Sequence, residues 1–205
     1  MGRAEDVDRF RALLSQATRG IGRDYFMFPV ADAEGGEPLI QYRERVYAYE
    51  LYHQLRCIWP AWPYSLAGEV DKRGHPLVRG ADLGNVKPDL LVHVPGVMDH
   101  NLVVLEIKAA TPSPPASERA AIETDLKKLA AFRRSAQYEA GVLLVFGIEI
   151  GRIQEHAAWA VSRGVSLDGV ELWHQLEPGV DARRVTWGDG VAQLGAGDDD
   201  RRLCR

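Results

Sequence analysis

Residues 87–109 read KPDLLVHVPGVMDHNLVVLEIKA, and this stretch decides the predicted fold. Its second apolar run, 101–109, is apolar on both faces until Glu106 and Lys108, which predicts a central strand buried on both sides. Side chains alternate along a strand, so Glu106 and Lys108 share one face, about 7 Å apart. Asp89 enters the preceding apolar run. If the two runs pair as strands, Asp89, Glu106 and Lys108 lie together at one edge of the sheet. Two carboxylates at such a place suit a hard divalent cation such as Mg²⁺.

The rest of the chain predicts an α/β fold with a mixed central sheet flanked by helices on both faces. Apolar residues at helical spacing predict helices at 5–18, 41–58, 118–137 and 151–163. Apolar runs predict further strands at 64–70, 142–150 and 169–176, while the Gly- and Pro-rich segments 20–38 and 71–86 predict loops. The helix between two buried strands implies a parallel crossover. We expect one domain over 1–195 and a disordered tail at 196–205.

Composition narrows the class of protein. The 205 residues are 46% hydrophobic and 26% charged, ordinary values for a globular domain. The charged N-terminus lacks the apolar centre of a signal peptide, no run is long enough for a membrane span, and there are only two cysteines. We therefore expect a cytoplasmic protein without a membrane partner. The formal net charge of −4 argues against nonspecific coating of nucleic acid, although a local basic surface remains compatible with it.

Several common catalytic motifs are missing from the sequence. The six histidines show no spacing typical of a zinc site. There is no GxxxxGK[ST] or GxGxxG phosphate-binding loop and no GxSxG nucleophile elbow. The strand-end carboxylates and Lys108 are therefore the residues most indicative of function.

Pro88-Asp89 and Glu106-Ile107-Lys108, separated by 16 residues between Asp89 and Glu106, resemble the motif of the PD-(D/E)xK nuclease superfamily. The resemblance covers about 41–150 and includes the order of helices and strands around the motif. It implies a restriction-endonuclease-like core and a magnesium-dependent endonuclease that hydrolyses phosphodiester bonds of DNA, with Mn²⁺ able to substitute. A role in defence or in mobile-element processing would follow the family.

The same resemblance assigns roles to residues. Asp89 and Glu106 would bind the metal, and Lys108 would position or activate the attacking water and stabilise charge on the phosphate. Family members often add a glutamate from the upstream helix. We prefer Glu50, because the residues after it hold the helix against the sheet. The alternatives are Glu69, at the end of the first strand of the core, and Glu44, and the sequence leaves this choice open.

Contacts to DNA are less defined by the sequence. Lys127, Lys128 and Arg73 are candidates for contacts to the phosphate backbone. An aromatic cluster could stack bases; it comprises Tyr47, Tyr49, Tyr52, Trp59, Trp62 and Tyr64. Specificity could come from a homodimer or a partner subunit. The principal alternative is a catalytically silent module of nuclease fold that binds nucleic acid or a protein, and hydrolysis of a non-nucleic phosphodiester is a third hypothesis.

Overall fold

The computed structural model describes residues 2–30, 39–68, 87–97, 100–109 and 114–191. The helices in these ranges are α1 (Arg3–Arg19), α2 (Arg23–Phe26), α3 (Glu44–Cys57), α4 (Pro115–Ser135) and α5 (Ile150–Ser162). The strands are β1 (Phe28–Val30), β2 (Leu39–Gln41), β3 (Ser65–Gly68), β4 (Leu90–His93), β5 (Asn101–Ala109), β6 (Ala140–Phe146), β7 (Val170–Gln175) and β8 (Arg183–Val185).

Six strands form a mixed sheet in the order β3-β4-β5-β6-β7-β8. The pairs β3–β4, β4–β5 and β7–β8 are antiparallel, whereas β5–β6 and β6–β7 are parallel. The helices α4 and α5 connect the parallel strands, as a parallel connection requires. The predicted α/β class with a mixed sheet packed against helices is confirmed.

The two faces of the sheet are covered by different helices. On one face, side chains of α1, α2 and α3 form a core with Leu105 and Ile107 of β5. On the other face, α4 and α5 pack around Val104. Because side chains alternate along β5, Glu106 and Lys108 follow Val104 and face α4.

The differences from the predicted elements concern short segments. The segment 20–38, predicted as a loop, contains α2 and β1, and the edge strand β8 was not predicted. Each is only three or four residues long, too short for a helical or alternating pattern to appear. The predicted loop at 71–86 and the predicted tail at 196–205 lie outside the described residues. In the described part of the chain, no helix has the length and apolar character needed to cross a membrane.

Candidate active site

The start of β4 and the end of β5 lie at the same edge of the sheet, because the two strands are antiparallel. Leu90 pairs with Leu105, which brings Asp89 opposite Glu106. The Oδ2 atom of Asp89 accepts a hydrogen bond of 2.7 Å from the backbone N–H of Ile107. Asp89 is therefore held against the polar end of β5 by the backbone itself.

Glu106 is a carboxylate in a nearly dry environment. It is 3% exposed, and its Oε2 lies 2.7 Å from Nζ of Lys128, whereas no residue that the structure describes forms a hydrogen bond with its buried Oε1. Burial first, and the nearby Asp89 carboxylate second, raise its pKa well above the ordinary value. Burial also raises the pKa of Asp89, although the Ile107 N–H opposes this. The electrostatics of this edge therefore favour added positive charge.

Lys108 is a fixed cation in the same cluster. Its Nζ lies 2.9 Å from Oδ2 of Asp125 and 3.1 Å from Oε1 of Glu44. Burial lowers the pKa of Lys108, but these two carboxylates outweigh it and the pKa is raised. At neutral pH the side chain is an ammonium group, so it can stabilise negative charge and cannot accept a proton.

Helix α4 supplies two further charges that face the sheet. Asp125 contacts Lys108 through Oδ2 and lies 3.5 Å from Nζ of Lys128 through Oδ1. Sequence analysis did not identify Asp125 as a site residue. The available signal was its position three residues after Ile122 and four before Leu129, on the buried side of the helix.

The glutamates of α3 do not lie where the preference for Glu50 over Glu44 requires. Glu44, in the first turn of α3, contacts Lys108 and also accepts a hydrogen bond of 3.2 Å from the backbone N–H of Ala109. Glu50 accepts a hydrogen bond of 2.7 Å from Gln54 on its own helix. The structure therefore brings Glu44, rather than the preferred Glu50, to the end of β5. Glu69 lies outside the described residues.

The residues predicted to contact DNA lie in different environments. Lys128 faces the sheet and pairs with Glu106, while Lys127 is largely exposed and pairs with Glu123 at 2.6 Å. Arg73 lies outside the described residues. A groove of about 410 Å³ lies between α4 and residues 163–166, and its cationic lining consists of Lys127, Lys128, Arg134 and Arg163.

The donor set of this edge fits a divalent cation with few protein ligands. When ionised, Glu44, Asp89, Glu106 and Asp125 outnumber the two lysines and leave a formal charge of −2. The Oε1 atom of Glu106, which has no hydrogen-bond partner among the described residues, offers a metal-ligating oxygen. Within the described ranges, no group of three or more His, Cys, Asp or Glu side chains is arranged to hold a metal. Mg²⁺, which binds one or two carboxylates together with waters and substrate phosphates, matches this donor set.

Comparison with protein-family models, curated proteins and solved structures finds no match for the chain. Arguments about function therefore come from the residues at this edge of the sheet.

Proposed function

We propose that the protein is a divalent-metal-dependent nuclease that hydrolyses phosphodiester bonds of DNA. One observation carries the proposal: the half-buried Asp89 and the buried Glu106 are neighbouring carboxylates with raised pKa values, at the same end of β5 as Lys108. Burying two like charges side by side is unfavourable unless a cation balances them. The arrangement is typical of a site that binds a metal ion.

Each residue of the cluster has a role in this function. Asp89 and Glu106 would hold Mg²⁺ or Mn²⁺. A cation bound there lowers the pKa of a bound water and neutralises phosphate oxygens. Lys108 presents a permanent positive charge where negative charge develops on the phosphate. Glu44 and Asp125 keep that ammonium group protonated and in place.

The cationic groove beside α4 is evidence for a polyanionic substrate. Its lining includes Lys128, which contacts Glu106, together with Lys127 and Arg134. Several cations near the carboxylates suit the phosphates on either side of the cleaved bond. Specificity for a DNA sequence would come from contacts to bases or from a second subunit.

The test is cleavage of labelled single- and double-stranded DNA and RNA in Mg²⁺, Mn²⁺ or EDTA. We expect cleavage of DNA with either metal and none in EDTA. Lys108→Met should lower the rate about 10²- to 10³-fold, as removal of one charge-stabilising group does in other active sites. Asp89→Ala should abolish cleavage, and Glu155→Gln, on the exposed side of α5, should leave it unchanged. Cleavage that survives both substitutions at the site would contradict the proposal.

A second candidate is a catalytically silent module that binds nucleic acid. It is favoured by the ion pairing, because Lys128 already contacts Glu106 and Lys108 already contacts two carboxylates. DNA binding through the α4 groove without cleavage under any metal condition would support this alternative.

A further inference from the structure

A cavity of about 450 Å³ lies between the outer side of α3 and the β3–β4 edge of the sheet. Two tyrosine rings and two aliphatic side chains form much of its wall, and the carboxylates of Glu44 and Asp89 lie at its border with the candidate active site. Its lining residues are Glu44, Arg45, Ala48, Tyr49, Tyr52, Gly68, Asp89 and Leu90. The cavity therefore opens beside one of the two residues assigned to the metal.

The aromatic residues near α3 pack into or against the core, except for Tyr49. Tyr47 is fully buried and stacks on Phe146 with ring centroids 4.0 Å apart. Trp62 contacts Trp59 and Tyr64 and belongs to the packing around α1 and α3. Tyr49, by contrast, is 63% exposed and lines the cavity together with the half-buried Tyr52. Packing in the core does not account for the position of Tyr49.

We propose that this cavity takes an unpaired nucleobase of a DNA strand, adjacent to the phosphate that lies at Asp89 and Glu106. The inference rests on the proposed nuclease function and specifies its substrate class. The cavity has a volume within the range of small-molecule sites, and its tyrosines offer flat apolar surfaces on which any base can stack. Asp89 borders both the cavity and Glu106, so adjoining groups of one strand would reach both places.

A site for an unpaired base selects against intact duplex. Bases in a duplex are stacked and paired, and an enzyme reaches one only by extruding it, at a cost in unstacking and unpairing. A single strand, a frayed end or a displaced strand avoids that cost. The preferred substrate is therefore single-stranded or locally unpaired DNA.

The experiment measures binding in Ca²⁺, which supplies positive charge for a phosphate at Asp89 and Glu106, and electrophoresis verifies that the labelled strand stays intact. A labelled single-stranded oligodeoxynucleotide and a blunt duplex of the same sequence are titrated by fluorescence anisotropy. Loss of one stacking contact should weaken single-strand binding by Tyr49→Ala about 5- to 150-fold. Tyr49→Phe keeps the ring and should bind like wild type. Tyr25→Ala, which removes another exposed tyrosine (46% exposed, on α2), is the matched control and should also bind like wild type.

The outcomes separate this inference from the proposed function. Single-strand binding that is unchanged by Tyr49→Ala, or equally weakened by Tyr25→Ala or Tyr49→Phe, overturns the base site, as does a wild type that binds no single strand. Tyr49-dependent binding without cleavage in any metal leaves the base site standing and rejects the nuclease. Metal-dependent cleavage together with unchanged binding by Tyr49→Ala rejects the base site alone.

Discussion

Replacement of Lys108 by methionine measures the ionic network at the end of β5. The contacts of 2.9 Å to Asp125 and 3.1 Å to Glu44 each correspond to a gross attraction of about 5 to 6 kcal/mol at an effective dielectric constant of about 20. Most of this attraction is offset, because a buried methionine has no charge to desolvate. In the variant, Asp125 retains its ion pair with Lys128 and Glu44 retains the hydrogen bond from the Ala109 N–H. We therefore expect a net loss of about 2 to 3 kcal/mol, below the 3 to 5 kcal/mol typical of a fully buried pair.

Urea unfolding at pH 7 provides the measurement, with the free energy of unfolding obtained by linear extrapolation. Lys127→Met is the matched control, because Lys127 lies on the same helix as Asp125 but is 59% exposed and pairs with Glu123. Its substitution should leave the free energy of unfolding almost unchanged. Equal effects of the two substitutions would refute the buried network around Lys108.

Three further predictions concern the carboxylates. Burial raises the pKa of Asp89 and Glu106, so these carboxyl groups bind protons more tightly in the native state than in the unfolded chain. The free energy of unfolding should therefore fall as pH rises above about 4.5. Glu106→Gln should make that fall smaller in urea titrations. Glu44→Gln should lower the cleavage rate and Glu50→Gln should not; the reverse result would restore Glu50 to the site. Asp125→Asn combined with Lys108→Met should cost about 1 to 2 kcal/mol less than the sum of the single substitutions, whereas additive costs would show that the two side chains do not interact.

The fold and the convergence of Asp89, Glu106 and Lys108 at one strand end could be predicted because local pattern determines them. β5 is apolar on both faces, which marks a central strand, and alternation then places Glu106 and Lys108 on one face. Antiparallel pairing of β4 with β5 brings Asp89 to the same edge. Each step needs only the sequence period and the pairing of neighbouring strands.

The contributions of the helices depend on tertiary packing and were harder to predict. Glu44 reaches Lys108 because α3 begins near the end of β5, whereas Glu50 lies almost two turns later on a different side of the helix. No local pattern of α3 encodes where its first turn meets the sheet. Asp125 is different, since its place on the buried side of α4 is readable from the apolar spacing.

In the proposed function, Asp89 and Glu106 hold a divalent cation. Anomalous diffraction from crystals of the protein soaked in Mn²⁺ tests this. We expect one strong manganese peak in contact with carboxylate oxygens of Asp89 and Glu106, and loss of this peak in Glu106→Gln. A map without manganese at this edge, with Lys128 still paired to Glu106, would contradict it.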